Sequence, residues 1–180
     1  MNIPGFTLFD TSIGPCGLVW GERGLVGVLL PEPSAAATRA RARRRYPQAR
    51  ELAPPAEAQR TMDRIQRLLL GEADDLLDIE LDMAAVPPFN QGVYAIARQV
   101  RPGATLTYGE VAARLGEPHA ARAVGRSLGA NPFPIIVPCH RVLGAGGKAG
   151  GFSASGGTRT KLRLLEIEGA PLGGMPGLFD

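Results

Sequence analysis

The residues able to do chemistry gather in one stretch, Asn131 to Val142, which reads NPFPIIVPCHRV. Pro132, Pro134 and Pro138 stiffen the approach. The apolar run Ile135-Ile136-Val137 predicts a buried strand leading out to Cys139, with His140 and Arg141 directly behind it. A free thiol titrates near about 8.5, and a neighbouring imidazole or cation lowers that value and raises the thiolate fraction. A stiffly held thiol beside a base and a cation is therefore a candidate nucleophile. The plainer reading is a buried structural cysteine followed by an ordinary loop histidine, and residue types alone leave both open. The other candidate ligands are Cys16 and His119. Four scattered ligands without CxxC or HxxxH spacing predict no metal site, and no cofactor is expected.

The elements that must position this stretch follow from periodicity and turn residues. FTLFDT, CGLVW and GLVGVLL, separated by Gly and Pro, predict strands of a small antiparallel sheet, with Cys16 packed in one of them. An Ala/Arg-rich helix is predicted from Ser34 to a stop at Pro47, and a second from Pro54-Pro55 to about Leu70, with Gly71 past its end. LLDIELD predicts a last strand, and residues 84–89, AAVPPF, a linker. Beyond it, NQGVYAIARQV predicts a helix. Thr107 and Glu110 form a capping-box signature for a short helix to about Leu115, and a further helix is predicted from Pro118 to Gly129. Two short helices joined by a three-residue, Gly-containing turn make a helix-turn-helix pattern. The expected organisation is an N-terminal unit over 1–85, a second unit over 86–170 and a flexible tail over 171–180.

Charge is distributed unevenly. Residues 1–85 hold ten Lys/Arg against twelve Asp/Glu, a balance of −2, whereas residues 86–180 hold ten against five, a balance of +5. A polyanion would bind the C-terminal half. No apolar run approaches the roughly 20 residues that cross a bilayer, so no membrane association is expected. MNIPGFTLFD lacks the basic and apolar regions of a secretory signal. The expected location is cytoplasmic, with both cysteines reduced.

Pro-Cys-His-Arg-Val preceded by Asn-Pro-x-Pro, with Ala-Ala-Arg-Ala-Val-Gly upstream, resembles the O6-alkylguanine-DNA alkyltransferase family, the methylated-DNA–protein-cysteine methyltransferases. The resemblance runs from about Phe89 to Gly169. It implies an α+β fold: a ribonuclease H-like N-terminal unit with a small antiparallel sheet, and a helical, winged helix-turn-helix unit carrying the active-site cysteine. It further implies a monomer that acts on double-stranded DNA containing alkylated guanine, with alkylated thymine a further substrate to test. The alkyl group would move irreversibly to Cys139, once per molecule.

Laid on this chain, the resemblance implies that His140 takes the thiol proton through a water and that Glu168 orients His140. Asn131 would brace the turn before the active site, and Tyr108 would protonate the leaving guanine. Arg122 would enter the duplex in place of the extruded base. Ala121, Ala123 and Gly125 would let the helix approach the minor groove, with Arg126 and Thr107 also at DNA. Pro138, Val142, Phe152 and Ser153 would line the substrate pocket. The chemistry is coherent, since an alkyl carbon is a soft electrophile suited to sulfur, and a thioether has no good leaving group. Guanine, a poor leaving group as an anion, needs an acid.

Some positions depart from the family pattern. Ala130 stands where many relatives carry a basic residue. GFSASGG replaces the usual Gly-Tyr-Ser/Ala-Gly-Gly, with Phe152 for tyrosine and two residues inserted, which bears on the size of alkyl group accepted. The five arginines among Arg39 to Arg45 spread around their helix and read as solvated. Three alternatives compete. Alkyltransferase-like binders usually carry tryptophan at the cysteine position. A winged-helix regulator would leave Pro-Cys-His-Arg unexplained, and a cysteine hydrolase would need an oxyanion hole that the sequence beside Cys139 does not offer.

Overall fold

Three short strands open the chain because glycine lets the backbone reverse between them. In the computed structural model, which describes residues 4–150, 152 and 154–171, β1 (Gly5–Thr11), β2 (Gly14–Gly21) and β3 (Gly24–Leu29) form an antiparallel meander. Gly14 and Gly24 have φ of 123° and 124°, a conformation that L side chains rarely adopt. Both faces of β2 are covered, so Cys16 to Trp20 are all buried. Val19 joins Phe6, Leu29 and Ala42 in one layer, while Cys16, Leu18 and Trp20 point into the main core, following the two-residue period of a strand.

Helix α1 (Ala35–Arg45) covers the first face; Ser34 caps its N-terminus by accepting from Ala37 N at 3.1 Å. A two-residue strand, β4 (Arg50–Glu51), then runs parallel to β1, giving the sheet order β3-β2-β1-β4. It carries no apolar alternation, and sequence patterning had nothing to detect. Helix α2 (Ala56–Leu68) turns Ala58, Met62, Ile65 and Leu68 inward.

Two expectations for the next segment are overturned. LLDIELD is a series of turns with a single bridge between Leu25 and Leu81. Its aspartates divert the backbone: Asp74 and Asp75 accept from the amides of Leu76 and Leu77, and Leu76 has a φ of 54°. Arg64 clamps Asp74 and Asp78, and the Arg98 guanidinium donates to the carbonyls of Leu76, Leu77 and Ile79. Nor do the paired prolines make a linker through residue 89. Pro88 is the first residue of α3 (Pro88–Arg98), where a missing N–H costs nothing, and Pro87 is its cap.

The second half is built from α3, α4 (Tyr108–Arg114), α5 (Ala121–Gly129) and α6 (Thr158–Ile167). Thr107 caps α4 by accepting from Glu110 N at 3.1 Å. The turn before α5 is six residues rather than three. Pro118 sits at the second position of a turn closed by Ala120 N to Glu117 O, so the helix starts at Ala121. Strands β5 (Leu106–Thr107) and β6 (Val142–Leu143) pair in parallel and bring the start of α4 beside the segment after Cys139. One hydrophobic core runs from Phe9 and Leu18 through Val93 and Val124 to Cys139 and Leu164. Val28 N also donates to Pro132 O at 2.9 Å, tying β3 to the approach to Cys139. No helix among the described residues is long and apolar enough to cross a membrane. The expected tail after Pro171 lies outside the described residues.

Candidate active site

Ile135-Ile136-Val137 is a tight turn and not the expected strand. Pro134 bridges to Val137, Val137 N donates to Phe133 O at 2.8 Å, and Ile135 adopts a φ of 76°, an outlier for a β-branched residue. Asn131 holds the turn closed. Its Oδ1 accepts from Phe133 N and its Nδ2 donates to Val137 O, both at 2.9 Å. The chain emerges through Pro138 into a single 3-10 turn, Cys139–Arg141, all of it buried.

Behind the cysteine lies a charged relay closed to solvent. His140 Nε2 lies 2.8 Å from Glu168 Oε1, and Glu168 caps the C-terminus of α6. Arg141 grips the same carboxylate twice, Nε to Oε2 at 2.9 Å and Nη2 to Oε1 at 2.7 Å, and donates Nη1 to Val100 O at 2.6 Å. Burial alone would raise the Glu168 carboxyl, but the bonds from His140 and Arg141 outweigh it and hold it at about 2. The carboxylate is thus always an acceptor, which makes Nε2 the protonated nitrogen of a neutral imidazole. Burial keeps His140 below its ordinary value, against the pull of Glu168. Its Nδ1 is buried without a hydrogen-bond partner among the described residues, and it carries the free lone pair of a base.

The thiol differs from expectation. Burial pushes Cys139 up, with hydrogen bonding from Asn131 and the charge of Lys161 opposing it. The resting group is a protonated thiol that needs a base, not a preformed thiolate. Arg141, the cation expected to act on it, is committed to Glu168 and Val100. The cation the thiol does feel, Lys161, was missed; 22 residues downstream, it gives no signal in local sequence. Lys161 is 1% exposed; its Nζ donates to Val142 O at 2.7 Å and to the Tyr108 hydroxyl at 3.3 Å. Burial lowers it to about 8. Burial and the proximity of Cys139 both raise Tyr108, so this phenol keeps its proton. Because Lys161 donates to the hydroxyl oxygen, the phenolic hydrogen is left to point elsewhere. Gly150, at a φ of 68°, packs so close that a Cβ there would meet the Tyr108 hydroxyl at 2.7 Å.

Two cavities flank Phe152. An open one of about 860 Å³ is lined by Thr107, Tyr108, Ala121, Arg122, Gly125 and Arg126 among others. Arg122 and Arg126 are exposed, and Ala121, Ala123 and Gly125 half-buried, along α5. A smaller cavity of about 80 Å³ reaches Cys139, with Leu128, Pro134 and Ala154 in its walls. Pro138 and Val142 are buried and line neither of these cavities; Ser153 lies outside the described residues. The described residues hold no cluster of three or more His, Cys, Asp or Glu side chains able to bind a metal.

Comparison with known proteins agrees with this geometry. The family model for the 6-O-methylguanine DNA methyltransferase DNA-binding domain matches residues 88–170. The methylated-DNA–protein-cysteine methyltransferase of Methanothermobacter thermautotrophicus is 36% identical over 88% of this chain and 81% of its own. The chain belongs to the methylated-DNA–protein-cysteine methyltransferase family. A DNA base-flipping protein of Thermus thermophilus is 38% identical over 87% of this chain and 96% of its own. The Mycobacterium tuberculosis OGT crystallised in complex with DNA superposes with a TM-score of 0.73 at 33% identity, covering 93% of this chain and 95% of that one. The mixed α+β fold of this family member, a small sheet with helices, matches that structure.

Proposed function

We propose that this chain repairs duplex DNA by taking the alkyl group of O6-alkylguanine onto Cys139, once and irreversibly. The observation that carries this reading is the buried His140-Glu168 pair directly behind Cys139, beside an open groove that Arg122 and Tyr108 line. The alkylated oxygen lies inside the base stack, so the lesion must be flipped out, at a cost of a few kcal/mol. Arg122, exposed on the second residue of α5, fills the gap. The thiol proton passes through a water to Nδ1 of His140, and Glu168 stabilises the imidazolium. Sulfur attacks the alkyl carbon in line, the C–O6 bond breaks, and its electron pair goes to guanine, which takes a proton from Tyr108. That proton is replaced by the one lost from the thiol, so the products are a thioether and neutral guanine.

The proposal extends to finer features. The N-terminal sheet with α1 and α2 is a ribonuclease H-like unit ending near residue 85, and α4-α5 with the β5-β6 pair is a winged helix-turn-helix. The protein acts as a cytoplasmic monomer, and O4-alkylthymine is a second substrate to test. Incubation with a duplex bearing O6-methylguanine, followed by intact and peptide mass spectrometry, tests the core of the reading. One methyl should appear on the peptide containing Cys139, in a stoichiometric burst, and Cys139→Ser should bind the lesion without transfer. Methylation of Cys16 or continuing turnover would overturn it. A protein that flips bases without accepting the alkyl group would bind without any gain in mass.

A further inference from the structure

The smaller cavity has charged walls that methyl transfer does not use. Besides Cys139, Phe152 and Pro134, it is lined by Gly129 and Ala130 and by Arg41 and Arg45 of α1. The arginine cluster is not uniformly solvated. Arg39 and Arg43 both bind Glu51, and Arg41 binds Glu32 at 3.2 Å. Arg45 has no carboxylate partner among the described residues. Its Nε donates to the Tyr46 hydroxyl at 3.3 Å, and its guanidinium carbon lies 5.8 Å from that ring's centroid, leaving its other N–H groups for a ligand.

In-line attack aligns sulfur, carbon and the guanine oxygen, so any remaining alkyl chain must leave the reacting carbon sideways. The base enters from the Tyr108 and Arg122 side, and the cavity beyond Cys139 is the space left for that chain. A methyl group does not extend into it. Resting on the transferase reading above, the geometry points to a second recognition site at the arginine wall: it takes the terminal anion of a longer alkyl adduct, such as a carboxyalkyl group on guanine O6. Transfer is otherwise unchanged. The C–S bond forms at the carbon bound to O6, the C–O6 bond breaks, and the carboxylate stays on the protein as part of the thioether, paired with Arg45 and Arg41. Arg45 is exposed and Arg41 half-buried, so the preference should be modest.

Single-turnover rates on three duplexes of one sequence test this, with guanine carrying O6-methyl, O6-(4-carboxybutyl) or the neutral O6-(4-carbamoylbutyl) group. Phosphate contacts are common to all three and cancel in the acid-to-amide ratio. The wild-type ratio should be about two to five. Arg45→Gln should bring it to about one and Arg45→Glu below one, while Arg44→Gln, on the same helix but outside the cavity, leaves it alone. A wild-type ratio of one, or a ratio that survives Arg45→Glu, overturns the site. An Arg45 variant that loses rate equally on all three duplexes assigns Arg45 to the DNA backbone instead and also overturns it. Failure on the methyl duplex itself would be a failure of the transferase reading.

Discussion

A buried lysine is an expensive way to place a hydrogen bond, and Lys161 is informative for that reason. Removing an ammonium from water disfavours its charged form, which is why it titrates at about 8. What it supplies is a donor on the Tyr108 oxygen and a positive charge near Cys139 as the thiolate develops. Lys161→Met keeps most of the volume and removes both. Transfer on methylated duplex should fall about 10- to 100-fold, equivalent to about 1.4 to 2.8 kcal/mol, with lesion affinity kept. The pH profile separates positioning from mere structure. The wild-type rate should bend downward above about pH 8 as Lys161 loses its charge, whereas Lys161→Met should lack the bend. The thermal midpoint of the variant at pH 7 should not drop, because the folded state no longer holds a charge it disfavours. A parallel pH profile in the variant would reduce Lys161 to a packing residue.

At the scale of elements, the site depends on the turn running from Asn131 to Val137 between α5 and Cys139, and Asn131 is its brace. Asn131→Ala leaves Phe133 N and Val137 O without their partners, at roughly 1 to 3 kcal/mol. It also frees Ile135 from the left-handed conformation that the closed turn imposes. The variant should lose stability in urea and lose transfer, while DNA affinity, which the proposal assigns to α5, changes little. Asn131→Asp, which keeps the acceptor for Phe133 N and loses the donor to Val137 O, should recover part of the stability only. Equal stability in all three proteins would show that the turn holds itself. The limits of sequence reading lie at the same scale. The meander, α1, α2 and α4 follow from alternation, caps and glycine, which act locally, and their strands and helices fall near the expected bounds. The Ile135 turn was misread because a short apolar run fits a strand equally well, and only a side chain four positions upstream decides. LLDIELD was misread because aspartates captured their own backbone. Lys161, Arg141 and Arg45 gained their meaning from residues distant in sequence.

Seen as a whole molecule, the relay belongs to the core that joins the sheet to the helices, so its charge state is coupled to stability. Glu168 titrates at about 2 in the folded protein, against about 4.3 for an ordinary glutamate. Between these values the unfolded chain binds a proton that the folded one refuses, so stability rises with pH across that window and is lost as pH falls through it. The contribution is on the order of 3 kcal/mol, present in full above about pH 5. His140 acts in the same direction from higher pH. Its folded value is lowered by burial, so below about 6.5 the unfolded chain gains a proton that the folded ring resists. The urea midpoint should therefore fall progressively from about pH 6.5 to pH 3. Glu168→Gln should be less stable at neutral pH, because Arg141 is left buried without its carboxylate, at roughly 3 to 5 kcal/mol, but its midpoint should fall less steeply between pH 5 and pH 3. If that variant does not fold, the wild-type curve alone decides, since a midpoint flat from pH 6.5 to pH 3 is incompatible with a buried, ionised Glu168 paired to a neutral His140.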